Sequence, residues 1–376
     1  MDQARVGRWA VAAMFATNGF IMGAWAPQIP LLLPRHQISE TTLGLLILVL
    51  GIGAVGAMLF AGRLIAAYGS RTVLRTFALA TVPTLPLVVL SPSLWLVAPA
   101  MALMGGLIGC MDVSMNANAV EVERRLGRAI MSSSHGFWSL GGFVGGIAGS
   151  FVIAQWGAEV QAFGVAAIAL LTVLLAAPRL IADAPHPAEA PPAPHAMFPR
   201  DAALWILGFM ALFSMVPEGA VLDWAAIYLS KELGSGLFVS GLAFACFAGD
   251  RLRNRFGAVK TLQISGLVSA AGMMGGAVAP TDFIAIASFA FAGLGIANMV
   301  PIMFSAAGNH PGMAAGSAIS TVTMVGYAGI LVAPSSIGYI AEHIGFRFTY
   351  GALALLLLLV TALAGCTAAA DGVKKV

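Results

Sequence analysis

Gly62-Arg63-Leu64-Ile65-Ala66-Ala67-Tyr68-Gly69-Ser70-Arg71 is echoed 188 positions after Arg63 by Arg251-Leu252-Arg253-Asn254-Arg255-Phe256-Gly257. Each copy has Arg-Leu, three intervening residues, an aromatic ring and a glycine. The echo extends outward. Trp25-Ala26 returns as Trp224-Ala225, 199 positions later, and Leu140-Gly141-Gly142 is matched by Tyr327-Ala328-Gly329, 187 positions later. A period near half the chain length predicts two homologous halves. In an apolar chain such halves are a membrane architecture arranged about a central site.

The chain is that apolar. Of its 376 residues 59% are hydrophobic and 9% charged, against roughly 25% charged in an average soluble domain. A soluble fold could not hide so much apolar surface, whereas a chain surrounded by lipid has no need to. The net charge of +3 is small and leaves no electrostatic footprint for nucleic acid. Cys110, Cys246 and Cys366 are far apart, with no CxxC or Cys/His cluster, so they read as small buried hydrophobes. No metal or cofactor is expected. Nucleophile-elbow, Walker-type and metal-ligand patterns are absent, so an enzyme is not expected either.

Runs of about 20 apolar residues, enough to cross roughly 30 Å of hydrocarbon, fall near 9–33, 42–62, 73–91, 94–118, 132–155 and 160–181. Residues 182–200 hold six prolines and read as an extended linker. Six further runs follow near 202–229, 236–249, 260–279, 283–306, 314–341 and 346–367. The expected fold is therefore an all-α membrane protein of 12 helices. Its parts would be a bundle over 1–181, a cytoplasmic linker over 182–200 and a second bundle over 201–376. The first run, after Arg5 and Arg8, is too long for a signal-peptide core and reads as a retained span.

With both termini cytoplasmic, sixteen of the nineteen Lys and Arg residues fall on the cytoplasmic side and only Arg35, Lys231 and Arg347 opposite. That asymmetry in short loops is the positive-inside pattern of an inner-membrane protein. One place departs from the repeat. Trp25 and Arg63 are 38 positions apart but Trp224 and Arg251 only 27, so eleven residues are missing from the second copy. The eighth span is left with 236–249, which covers only about 21 Å as helix and is expected to be short.

These features resemble the major facilitator superfamily. Its loop pattern G-x-x-x-D-R/K-x-G-R-K/R is met in degraded form by Gly62-Arg63…Tyr68-Gly69-Ser70-Arg71 and by Gly249-Asp250-Arg251…Phe256-Gly257. The first copy has Ala66 and Ala67 where the acid is usual. Within the superfamily the chain resembles the fucose-permease-like branch, and its rhizopine-transport-like bacterial members in particular. The likeness lies in Trp25-Ala26-Pro27-Gln28-Ile29-Pro30, Ser134-His135-Gly136-Phe137-Trp138-Ser139-Leu140-Gly141-Gly142 and Glu218-Gly219-Ala220-x-x-Asp223-Trp224-Ala225. The resemblance implies proton-coupled transport with one acid on span 1 and another on span 4. The span-4 pattern, acid-x-x-x-Asn, is met by Asp112 and Asn116, but the span-1 acid falls on Gly23.

An ionisable side chain inside a membrane is costly and usually functional. Asp112, Glu218 and Asp223 are the carboxylates within the expected spans, and His135 is the histidine placed to join them. Asp112 and Asn116 share a helix face and suit a sugar hydroxyl or a proton, or else a polar stitch between helices. Glu218 lies between Pro217 and Gly219, where a broken helix would build a substrate site. Asp223, about 140° round the helix from Glu218, is a second candidate or a gate. His135, on one face with Trp138 and Gly142, is a proton handler or an interface histidine. Trp25 and Trp224 hold equivalent places and would flank the cavity or anchor at the interface. Asn18, Gln28 and Asn298 are further polar candidates.

Two glycine runs read as packing. Gly51-x-Gly53-x-x-Gly56 matches a dinucleotide fingerprint by letters alone, without a βαβ unit. Gly141-Gly142-x-x-Gly145-Gly146-x-x-Gly149 resembles an antiporter motif of span 5 but has Ile147 at its proline position. The favoured reading is a monomeric secondary transporter of a small polar solute, a sugar or sugar derivative, working by alternating access with protons as the coupling ion. Its rivals are an exporter of hydrophobic or cationic compounds and a non-transporting remnant or sensor with a shortened eighth span.

Overall fold

The structure, a computed structural model, describes residues 3–38, 40–183, 201–233, 253–311 and 313–373. Among them there is helix and no strand. The first half runs α1 (Gln3–Trp25), a 3-10 turn (Ala26–Leu31), α2 (Leu32–His36), α3 (Glu40–Tyr68), α4 (Ser70–Thr81), α5 (Thr84–Leu90), α6 (Leu94–Leu126), α7 (Met131–Trp156) and α8 (Ala158–Ala176). The second runs α9 (Ala202–Leu233), α10 (Ala258–Ala277), α11 (Asp282–Gly308), α12 (Ala315–Ile344), α13 (Phe346–Ala362) and a 3-10 segment (Ala364–Val373). Helices dominate because lipid offers backbone N–H and C=O groups no partner, and a helix satisfies them within itself.

Among the described residues nine helical segments are long and apolar enough to cross a membrane, or ten if α13 and the 3-10 segment, bent by 49°, form one span. Helix α10 has 20 residues but is diluted by Lys260, Gln263 and several serines and glycines. The expected short span at 236–249 and the linker at 184–200 lie outside the described residues. One expectation is corrected. Helix α9 is continuous from Ala202 to Leu233 with Pro217 inside it, so the helix is not broken at Glu218. Pro99 and Pro301 are carried in the same way by α6 and α11, as neighbouring groups in membrane bundles allow.

The chain divides into two compact units. Unit 1 is Met1–Leu126, Ser134–Phe198 and Ala314–Ser320; unit 2 is Gly127–Ser133, Pro199–Met313 and Thr321–Val376.

In unit 1 the glycine runs bring helix backbones into contact. A Cβ placed on Gly105 of α6 would lie 1.9 Å from the Leu50 carbonyl oxygen of α3, and one on Gly53 would lie 2.2 Å from that of Ala102. Between α1 and α7 the same holds at Gly19 against Trp138, Gly23 against Gly142 and Gly141 against Ala16. Helices in lipid associate through such close packing rather than through a hydrophobic drive. Toward the α2 end of the unit, Trp25, Leu32, Leu85, Met101 and Val165 belong to a dry core.

Unit 2 is pinned by aromatic rings. Tyr228, Phe289 and Tyr350 cluster, with ring centroids 5.3 Å apart for Tyr228–Tyr350 and 4.7 Å for Phe289–Tyr350. The two hydroxyls do not go unpaired. Tyr228 Oη donates to the Gly276 carbonyl at 2.8 Å and Tyr350 Oη to the Ala220 carbonyl at 3.2 Å.

Candidate functional site

Helix α6 supplies the centre of the site. Asp112 and Asn116 stand one turn apart on it, and both are buried. The Asn116 amide donates from Nδ2 to the Asp112 carbonyl (3.0 Å) and, at 3.4 Å, to Asp112 Oδ1. Asn116 Oδ1 in turn lies 3.1 Å from Nε2 of His135 on α7. The imidazole is braced edge-on by Phe15 of α1, ring centroids 5.2 Å apart. Three helices thus converge on a chain of polar atoms that begins at a carboxylate and ends at an imidazole. The far carboxylate oxygen, Asp112 Oδ2, is buried with no hydrogen-bond partner among the described residues. A buried polar atom left so is costly and calls for an explanation. An oxygen of this kind can accept a ligand hydroxyl or hold a proton.

Two further bonds brace this cluster. Trp138 Nε1, one turn beyond His135, donates to Asn18 Oδ1 at 2.9 Å, and Asn18 Nδ2 reaches the Ile108 carbonyl, one turn before Asp112, at 3.4 Å. Asn18 therefore fastens α1 to α6 and α7 beside the acid. Gln28 is used elsewhere: its Nε2 donates to Gln161 Oε1 (2.6 Å) and the Ala158 carbonyl (2.9 Å), while Gln161 donates to the Ala24 carbonyl. Those bonds stitch the end of α1 to the start of α8. Trp25 is 4% exposed and belongs to the apolar core.

The remaining candidates belong to unit 2. Glu218 is partly exposed on α9. Asp223 and Trp224 lie on the same helix, their side chains outside the described residues. Asn298 of α11 is buried, with Nδ2 donating to the Leu294 carbonyl at 3.3 Å and Oδ1 unpartnered among the described residues.

The loop motif is built in parallel in the two units. Gly69 and Gly257 both have positive φ, 78° and 83°, a region glycine enters without strain. Each immediately precedes a helix, α4 or α10. Of the other motif positions, Gly62 and Arg63 lie in α3 and Arg71 in α4, while Asp250 and Arg251 lie outside the described residues. The sequence reading missed the acids that meet these helix starts. Asp183 accepts from the Ser70 amide and hydroxyl, both at 2.5 Å, and Asp371 accepts from the Ala258 amide at 2.6 Å. The signal was present: Asp371 follows Asp183 by the same 188 positions that separate Gly257 from Gly69.

Comparison with known proteins agrees with this architecture. Residues 11–249 match the model of the Major Facilitator Superfamily. An uncharacterised MFS-type transporter of Yersinia pestis is 37% identical over 93% of this chain and 92% of its own length. Membrane protein MosC of Rhizobium meliloti is 30% identical, covering 95% of this chain and 88% of its own. Among solved structures, FucP, the E. coli fucose:proton symporter, superposes in its outward conformation with a TM-score of 0.77 at 15% identity, covering 97% of this chain and 99% of that one.

Proposed function

This chain belongs to the major facilitator superfamily, and on that premise we propose that it moves a small polar solute, a sugar or sugar derivative, across the bacterial inner membrane in exchange for the free energy of a proton gradient. The observation that carries the reading is the buried Asp112 carboxylate with one oxygen unpartnered among the described residues and the other on the Asn116–His135 chain. Asp112 takes the proton or the solute hydroxyl. Asn116 orients that carboxyl through its amide, and His135 is the second titratable group the arrangement offers. FucP, a fucose:proton symporter, supports the solute class and the coupling ion by its fold alone.

Alternating access would use two bodies that rock about the site, and the division of the chain into two compact units supports that reading. Both termini and the arginine-rich loops lie on the cytoplasmic side, by the positive-inside asymmetry. The protein acts as a monomer. Uptake of a panel of labelled sugars into proteoliposomes, with and without an inward proton gradient, tests the reading. Accumulation that needs the gradient and disappears in Asp112→Asn supports it. Uptake that ignores both sinks it.

A second reading draws on Glu218, a partly exposed carboxylate with no ion pair among the described residues. Such a group suits a cationic substrate, as in an exporter. Competition by lipophilic cations that Glu218→Gln abolishes would favour that reading over sugar uptake.

A further inference from the structure

The two helix starts after Gly69 and Gly257 are held by acids that come from the far end of their own unit. In unit 1 the chain leaves α8, passes Leu180 and Ile181 and places the Asp183 carboxylate on the first turn of α4. Three further side chains seat that segment. Asn118 of α6 donates to both Ser70 Oγ (2.9 Å) and the Ile181 carbonyl (2.8 Å). Arg125, itself paired with Glu121 at 2.8 Å, donates to the Ala182 carbonyl. Arg75 of α4 donates to the Ala177 carbonyl at 2.7 Å.

Unit 2 repeats the arrangement with different residues. The 3-10 segment after α13 brings Asp371 onto the first turn of α10. The preceding carbonyl, that of Ala370, is held by Arg253 at 3.0 Å, and Arg253 also donates to Ser305 of α11 at 2.6 Å.

The backbone favours glycine at both positions, and each carboxylate lies close over its glycine. A Cβ on Gly69 would come within 2.5 Å of Asp183 Oδ2, and one on Gly257 within 3.0 Å of Asp371 Oδ1. Ala66 and Asn254 stand three residues before these glycines, and neither supplies a negative charge. A carboxylate at a helix start satisfies exposed amides and meets the positive end of the dipole. Here that charge arrives from 113 residues away in sequence in both units.

We infer that Asp183 and Asp371 are matched positioning residues for transport, each clasping the last segment of its unit to the start of that unit's third span. The inference rests on the alternating-access reading, in which each unit must move as one body. With the clasp closed, force on any helix of the unit is shared by all of them. With it open, the segment that ends in Asp183 or Asp371 is no longer tied to the start of α4 or α10.

The test uses the full chain in nanodiscs and proteoliposomes, comparing Asp183→Ala, Asp371→Ala and Asp183→Glu with wild type. Amide hydrogen exchange is read at 70–73 and 258–261. Uptake is resolved into Vmax and KM. The expected result is exchange faster by about fivefold at the matching helix start, as loss of a cap implies. Vmax should fall severalfold at unchanged KM, with part of both effects recovered in Asp183→Glu. Faster exchange with wild-type Vmax would leave two structural caps and overturn the positioning role. Unchanged exchange would overturn the clasp itself. A wild-type protein that moves none of the sugars fails the transporter reading, and the exchange data then still decide whether these acids hold the helix starts.

Discussion

Gly23 of α1 rests directly on Gly142 of α7: a Cβ built at residue 23 would stand 1.9 Å from the Gly142 carbonyl oxygen and 2.7 Å from its Cα. Position 23 is where the resemblance to fucose permeases would place an acid on the first span. There is no room for one. The absent acid and the close α1–α7 packing are one fact seen from two sides. Within unit 1 the titratable group that the bonds link to Asp112 is instead His135, reached through Asn116.

Gly23→Asp is therefore expected to damage the fold rather than restore a proton site. Even Gly23→Ala must push two backbones apart, an overpacking cost of about 1–3 kcal/mol. Thermal unfolding in detergent checks this, and an Asp variant that melts like wild type would contradict the packing.

Asp112→Asn keeps the shape of the side chain and removes the charge. Gradient-driven accumulation should fall to background while solute counterflow, which moves no net proton, persists. Loss of both activities would mean that the carboxylate binds the solute instead.

His135→Ala takes away the group facing Asn116 Oδ1 at 3.1 Å. Hydrogen bonds between membrane helices contribute about 0.6 kcal/mol on average and up to about 1.7, so the fold should survive. Uptake should slow severalfold, with a changed pH profile. A pH profile identical to wild type would remove His135 from the proton pathway.

Gln28 and Gln161 should behave as a structural pair. Either single Ala substitution leaves buried amide groups unpaired and should cost about 1–3 kcal/mol, with a coupling energy visible in the double-mutant cycle. KM should not move. A raised KM in Gln28→Ala would return Gln28 to the substrate site.

Tyr228→Phe deletes one hydroxyl from the aromatic cluster of unit 2 and leaves the Gly276 carbonyl without that donor. The expected loss is about 1 kcal/mol of stability with transport kinetics intact, measured by melting and by Vmax.

Much of the polar cluster in unit 1 was legible. Asp112 and Asn116 declare themselves because residues four apart share a helix face, and His135 and Trp138 because one turn separates them. What spacing did not reveal is the use made of each group. Gln28 and Asn18 are both polar residues on the expected first span, yet one ties the 3-10 turn after α1 to α8 and the other ties α1 to α6 and α7 beside Asp112. Pro217 read as a helix break, but α9 runs through it, because loss of one backbone bond is a small part of a long helix fixed by its neighbours.

By itself the sequence determined that this is a membrane protein of apolar helices, written twice, with a few polar side chains that are costly in lipid. Those properties follow from composition and from local periods of 3.6 residues, which need no partner to exist. Only the tertiary structure decided that Gly23 leaves no space for an acid, that Asp112 keeps an oxygen without a partner among the described residues, and that Asp183 and Asp371 close over helix starts 113 residues away. Each depends on which backbones approach within a few ångströms. That approach is set by packing across the whole unit: glycines permit it, and the fold decides which backbone meets them.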